Sequence, residues 1–326
     1  MFFQVVPLDL LQLRLSIVGT LVVIIGLSTL FFTAILWWFD ISLVLMPLFV
    51  IAFNLVQWLI APYLIDMMYR ARELSKSERP QLHEMVDRLS RKSGIKMPRV
   101  MIADIPIPNA FAYASPIAGS RVAVTSELLK TLDEEEVEAV VGHELGHLKH
   151  RDVQVMMFIS ILPAIFYYIY ISLFLSSMYR SRNDRGSGTA IIALASLVMY
   201  FVLTLFTLHL SRLREYFADR HSVSVVEDGS RKLSEGLVKI VNSTRRMKNV
   251  RKDVSGFSSF KALFISDPDR AKTDSTNISR TVGYKTDQML VEETLRKEVT
   301  AFDRLTELFS THPNIAKRLR ALQQLA

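Results

Sequence analysis

The 326-residue sequence contains no cysteine. Disulfides, thiolate metal sites and thiol catalysis are therefore excluded, and redox logic says nothing about the compartment. Charge is missing as well, but only locally. Leu15–Phe39, Ile41–Ile65, Val153–Tyr179 and Gly186–Ser211 hold no Asp, Glu, Lys or Arg over 25, 25, 27 and 26 residues. About 20 apolar residues are enough to cross a bilayer. Taken singly, each run could also be the buried helix of a soluble core. Within the runs the only histidine is His209, near one end, and transport pathways usually need more ionisable groups than that. No basic stripe with interleaved aromatics appears, so the net charge of +7 does not point to nucleic acid. A cleavable signal is not expected, because Arg14 is the only basic residue before the first run and no small-residue site ends it.

What is present is apolar. Half the residues are hydrophobic and the mean hydropathy is +0.25, high for a water-soluble chain. The expected architecture is an α-helical multi-pass membrane protein with four transmembrane helices and a soluble body in two parts. The layout is a transmembrane hairpin at 1–65, a soluble segment at 66–152, a second hairpin at 153–211 and a second soluble segment at 212–326. Trp37 and Trp38 suit one interface, and Trp58 and Tyr63 the other. Four spans place both termini and both soluble segments on one side. Arg70, Arg72, Lys76 and Arg79 follow the second run and Arg212 and Arg214 the fourth, which favours the cytoplasmic side. The connection between the third and fourth runs opposes this with Arg180, Arg182 and Arg185. Residues 65–152 are nearly neutral, with 13 Lys and Arg against 14 Asp and Glu, whereas 212–326 carry 22 against 15. That excess fits a body facing anionic lipid.

Within the soluble segments the patterns predict a helix over Glu78–Arg91 and strands over Arg99–Ala103, Pro108–Ala114 and Arg121–Thr125, with a turn at Pro116–Gly119. Further helices are expected over Gly229–Lys248, Glu292–Leu308 and Pro313–Leu325, the last with Pro313 in its first turn. Residues 251–287, rich in Ser, Thr and Asp, read as loop. The basic cluster Arg245–Lys252 could touch headgroups or simply be solvated.

The informative stretch is Val141-Gly142-His143-Glu144-Leu145-Gly146-His147-Leu148-Lys149-His150-Arg151-Asp152. Thr131 and Glu134 have the spacing of a capping box. Asp133 to Glu136 put negative charge at the positive end of a helix, and Val137, Val140, Val141, Leu145 and Leu148 give it an apolar face. On that helix His143 and His147 lie one turn apart and can share one metal. Glu144, displaced around the helix, can hold a water beside that metal, which is the chemical sense of the His-Glu-x-x-His spacing. A helix with a few surface histidines is the bland alternative. His150 lies seven residues from His143, about 10.5 Å of helical rise, too far for a shared ion with bonds of about 2 Å. A further ligand must come from elsewhere, and Glu215 and Asp219, four apart just beyond the fourth run, are candidates. For Glu215 a salt bridge to Arg212 or Arg214 is the competing reading.

With these residues together the chain resembles the HtpX family of membrane zinc metallopeptidases, relatives of the type I CAAX prenyl endopeptidase. The likeness rests on His143-Glu144-x-x-His147, on Glu215-x-x-x-Asp219, on Asn109-Ala110-Phe111-Ala112, and on Thr311-His312-Pro313 with Arg318. It implies a mainly α, minor β zincin-like metalloprotease domain with one Zn²⁺ on His143, His147 and Glu215, and Glu144 as catalytic base. It also implies that Asn109, Ala110, Phe111 and Ala112 pair with the substrate backbone, that His312 lies near the scissile carbonyl, and that Asp219 and Arg318 support the site. From the residues alone, Asn109–Ala112 could be a core strand and His312 a helix cap. The resemblance further implies endoproteolysis of misfolded or damaged membrane proteins at the cytoplasmic face of the cell membrane, with the lipid bilayer and membrane-protein or unfolded polypeptide substrates as expected partners and no nucleic acid. A maturation or prenyl-protein protease with a dedicated substrate, or a non-catalytic membrane scaffold, are the alternatives.

Overall fold

The computed structural model describes residues 45–179, 187–250 and 287–326. The expected span Leu15–Phe39, the charged connection 180–185 and the expected loop up to residue 286 lie outside the described residues, as do Arg251 and Lys252 of the basic cluster. Helix α1 (Leu45–Tyr69) runs through the expected second span and past its end. Arg70, at φ 49°, turns the chain into β1 (Ala71–Glu73), a strand too short to leave a pattern. Helix α2 (Pro80–Ser93) starts two residues later than expected. The cause is Pro80: it excludes the preceding residue from helical geometry, and Arg79 sits at φ −145°, ψ 74°. At the other end Gly94 takes the left-handed conformation (φ 68°) and donates to the Arg91 carbonyl at 3.1 Å, a C-terminal cap that only glycine adopts freely.

Strands β2 (Arg99–Ala103), β3 (Ala110–Ser115) and β4 (Gly119–Thr125) follow. The sheet order is β1-β2-β4-β3. β2 runs parallel to β4, with Arg99 opposite Arg121, while β3 is antiparallel to β4, with Ala110 opposite Val124. β3 is thus an edge strand. Side chains alternate across a sheet, and here both faces are covered. Val100, Ala110, Val122 and Val124 point into the larger core. Met101, Phe111, Tyr113 and Ala123 form a smaller one with Tyr69.

Next come α3 (Leu128–Thr131) and α4 (Glu134–Lys149). The cap expected at Thr131 belongs instead to Asp133, whose N–H donates to the Glu136 carboxylate at 2.9 Å. Thr131 closes α3, its hydroxyl donating to the Glu127 carbonyl at 2.8 Å. A local hydrogen bond of this kind competes with capping, and Asp133 serves better because it is the residue in extended conformation (ψ 160°). The chain continues through α5 (Asp152–Tyr179), α6 (Ser187–Val225) and α7 (Gly229–Val250). The single helix expected over Glu292–Leu308 is two, α8 (Asp287–Leu295) and α9 (Ala301–Leu308). Thr300 opens the second, accepting from the Asp303 N–H at 3.1 Å while the Asp303 carboxylate takes the Thr300 N–H. Helix α10 (Ile315–Gln323) begins after Asn314, whose side chain accepts from the Ala316 N–H at 2.9 Å. Pro313 therefore precedes the cap and is not in the first turn as expected, and His312 is not the cap.

Two compact units are present. Among the described residues one takes those of Leu59–Val153 and Ser211–Ala326, and the other those of Gln154–Leu210 with α1 before Leu59. The larger core of the first unit joins one face of the sheet to Leu82 and Leu89 of α2, Val140 and Leu145 of α4, Leu237 of α7 and Leu319 of α10, each burial stabilising by about 1.5–3 kcal/mol. Lys239 of α7 reaches Asp133 at 2.8 Å, Glu136 at 2.9 Å and Asp287 at 3.0 Å, tying α8 to the start of α4. In the second unit Ile159 and Phe166 of α5 pack with Leu203 and Leu210 of α6. Ile191, Leu194, Val198 and Phe201 of α6 are more than half exposed. Among the described residues two helices are long and apolar enough to cross a membrane, over Gln154–Ile171 and Thr189–Val225.

Helix α4 lies unusually close to the last turns of α6. A Cβ on Gly142 would stand 3.0 Å from Val226, and one on Gly146 3.0 Å from the His221 Cβ and 3.1 Å from the Ala218 Cα. The Ser222 hydroxyl donates across this seam to the Ala139 carbonyl at 2.6 Å. Gly146→Val, which forces backbone against backbone, is expected to destabilise the protein by about 1–3 kcal/mol, read as a lower denaturation midpoint of the purified variant.

Candidate metal centre

The seam delivers three ligand-type side chains to one point. His143 and His147 come from α4 and Glu215 from α6, all buried, with donor atoms within 4.8 Å of one another. The two Nε2 atoms are 3.2 Å apart. His143 Nε2 is 3.6 Å from Glu215 Oε2, and His147 Nε2 is 3.5 Å from Oε1. Two donors about 2.0–2.1 Å from a tetrahedral ion stand about 3.3 Å apart, so the three separations fit one small cation. Glu215 Oε2 is buried and makes no hydrogen bond of good geometry, its one cationic neighbour being the Arg318 guanidinium at 3.3 Å; a metal ion would give it a full partner.

Both imidazoles are fixed from behind. His143 Nδ1 is 2.9 Å from Asp219 Oδ1, and His147 Nδ1 is 2.7 Å from Asp152 Oδ2. Nδ1 of each ring faces its carboxylate and Nε2 faces Glu215, the arrangement that orients metal-binding histidines. Asp219 is in turn gripped by Arg318, whose Nε and Nη2 donate to Oδ2 and Oδ1, both at 2.6 Å. Arg318 Nη1 also lies 3.3 Å from Glu215 Oε2, so one guanidinium balances two buried carboxylates. Asp152 is reached by the Arg214 Nε at 3.6 Å. Sequence reasoning passed over Asp152. Its position depends on Arg151, a non-glycine residue at φ 55°, which turns the chain sharply between α4 and α5 so that the first residue of α5 folds back onto His147. The visible signal was a carboxylate between a histidine-bearing helix and an apolar run.

Glu144 is buried on α4. Burial pushes its carboxyl above the ordinary value of 4.5, only partly offset by His147 and His143. His312 Nε2 stands 3.8 Å from Glu215 Oε1, its Nδ1 held at 2.9 Å by the Thr311 hydroxyl. His150 does not join the centre: it caps α4, exposed, with its ring 5.7 Å from that of Phe217. Arg212 and Arg214, the alternative partners of Glu215, are engaged elsewhere, Arg212 with the carbonyls of Glu307 and Ser310, both at 2.8 Å. Asn109 and Ala110–Ala112 line the sheet edge. The Asn109 N–H donates to the Thr125 hydroxyl at 3.0 Å, and β3 packs against α4.

A buried pair of oriented histidines, a carboxylate ligand and a neighbouring glutamate on the first histidine's helix define a metallopeptidase. Residues 76–326 match peptidase family M48. Over 331 residues the chain is 36% identical to the Protease HtpX homolog of Thermoplasma acidophilum, covering 97% of this chain and 98% of that one. It is 39% identical to that of Aeropyrum pernix over 286 residues, 86% of each. The fold is similar to that in the crystal structure of S. mikatae Ste24p, with a TM-score of 0.53 at 14% identity over 95% of this chain and 65% of that one. This chain therefore belongs to peptidase family M48 and is a metalloprotease of the HtpX type.

Two outcomes follow from the geometry. Asp152→Asn, which weakens the acceptor behind His147, is expected to lower metal affinity by about 10–100-fold, measured by competition with a chelator. The second concerns protons. Burial pushes the His143 imidazole down, as does the charge of Arg318, but Asp219 and Glu215 outweigh both and hold it up at about 9. A metal needs the unprotonated nitrogen. Metal uptake at neutral pH should thus release a proton, and affinity should rise with pH until about 9 and fall on acidification. Calorimetry in buffers of different ionisation enthalpy reads that proton directly.

Proposed function

We propose that the chain is a membrane-embedded zinc endopeptidase that cleaves unfolded or damaged membrane proteins at the cytoplasmic face. The observation that carries the chemistry is the convergence of His143 Nε2, His147 Nε2 and Glu215 within tetrahedral reach, a nitrogen-rich, thiolate-free set that suits zinc. A zinc ion held there would polarise the scissile carbonyl and acidify the attacking water. Glu144 takes the proton of that water and delivers it to the leaving amine. Its raised pKa keeps it basic enough to receive the proton and acidic enough to return it. His312, held by Thr311, donates to the oxyanion. Arg318 and Asp219 hold His143 in place. The substrate backbone pairs along Asn109–Ala112 at β3, which stands at the end of the strand order, as extended peptides add to sheet edges.

The membrane reading rests on four charge-free runs and on the exposed stripe of Ile191, Leu194, Val198 and Phe201, which water would penalise and lipid would not. Ser211, the last residue of the fourth run, precedes Glu215 by about 6 Å of helix, so a ligand next to the bilayer suits substrates emerging from it. Lys and Arg after the second and fourth runs support the cytoplasmic side.

The decisive experiment compares wild type with Glu144→Gln for bound zinc and for cleavage of an unfolded membrane substrate. The variant should keep its zinc and lose about 10²–10⁴-fold in rate. Equal rates would remove Glu144 from the mechanism, and a wild type that binds no zinc would remove the metal assignment. In the wild type, kcat/KM should fall on acidification with a midpoint above the ordinary glutamate value of 4.5, because only the ionised carboxylate accepts the proton.

A further inference from the structure

Helix α9 shows the solvent a face that a water-soluble surface would not carry. Phe302 and Phe309 are each 65% exposed, Leu305 56% and Leu308 47%. At 100° per residue these four side chains fall on one arc, while Glu307, on the opposite side, is buried and accepts from the Asn314 N–H at 3.1 Å. The helix is fully structured on its inner side, so the apolar arc is not the by-product of a frayed segment. An amphipathic helix with an apolar arc of this kind, close in the chain's fold to the end of a charge-free run, is what lies in a lipid interface.

One residue holds the end of this helix. Arg212 is the first charge after the run Gly186–Ser211, and α6 continues through it without a break. Its Nη1 donates to the carbonyls of Glu307 and Ser310 at 2.8 Å and of Leu308 at 3.3 Å. The C-terminus of α9 is therefore tied to the first residue after a charge-free run. A second place in the same unit repeats the arrangement. The Ser115 hydroxyl donates at 3.1 Å to the carbonyl of Leu59, inside the second charge-free run. Beside it, at the tip of the β3–β4 hairpin, Ile117 is 59% exposed. The strands above are fixed to Asp66, the first charge after that run, by Tyr113 at 2.6 Å and by Arg121.

We propose that α9 lies in the headgroup layer of the bilayer with Phe302, Leu305, Leu308 and Phe309 turned into the lipid, seating the catalytic unit on the membrane. The inference rests on the membrane reading above. Arg304, exposed on the same helix, extends its guanidinium toward lipid phosphates while its stem lies along the apolar layer.

The absence of native cysteine allows a direct test. Single cysteines at Phe302, Leu305 and Phe309 are spin-labelled in the full chain, reconstituted into nanodiscs of phosphatidylcholine and phosphatidylglycerol. Relaxation by oxygen, which partitions into lipid, is compared with relaxation by a water-soluble nickel chelate. Labels at Leu194 on α6 and at Glu84 on α2 serve as lipid and water references. The expected result is a loss of nickel relaxation at all three α9 positions, as at Leu194. Water-like relaxation on α9 with lipid-like relaxation at Leu194 overturns this inference alone. Water-like relaxation at Leu194 overturns the membrane reading and the inference with it. Protection of α9 that arises only when unfolded casein is added assigns the face to polypeptide and also overturns the inference.

Discussion

The candidate metal centre depends on how closely α4 approaches α6. Its three ligand-type side chains come from segments separated by more than sixty residues, yet their donor atoms would have to agree to within a few tenths of an ångström to share one ion. Gly142 and Gly146 make that possible by removing the side chains that would separate the two backbones. They are placed one on each side of the His143–Glu144 pair, so the residues that permit the approach and the residues that profit from it alternate along the same helix. The same seam carries Ala218 and Ser222 next to Glu215 and Asp219. Packing and coordination therefore share one interface, and neither can be altered alone.

Around the seam the electrostatics are arranged in layers. Asp219 and Asp152 each face the Nδ1 of one histidine, and Arg318 and Arg214 in turn face those carboxylates. Unpaired buried charge costs several kcal/mol, so a site rich in carboxylates is stable only when cations alternate with them. Arg318 has no appreciable exposure and meets this demand from α10, near the end of the chain. The last helix is in this sense part of the metal centre, although it supplies no ligand.

Much of this could be read from the amino acids, and the parts that could not share a reason. His143 and His147 announce themselves by spacing, β2 and β4 by β-branched residues, and α7 by its apolar period. The expected zinc helix needed only its cap moved from Thr131 to Asp133. The unseen features are those decided by partners distant in sequence. β1 is three residues long and exists because β2 lies beside it. The break between α8 and α9 depends on the reciprocal bonds of Thr300 and Asp303, a pattern that reads as equally compatible with an uninterrupted helix. Asp152 looked like the polar margin of an apolar run until Arg151 turned it back toward His147. Arg212, expected among the basic residues that set orientation, proves to hold the carbonyls that close α9.

Lys239 carries a consequence of a different kind. By bridging Asp133, Glu136 and Asp287 it joins the first residue of α8 and the start of α4 to α7. Helix α4 carries both histidines of the candidate centre, and α8 packs against α10, which carries Arg318. One amine thus couples the helix that presents the imidazoles to the helix that balances their charge.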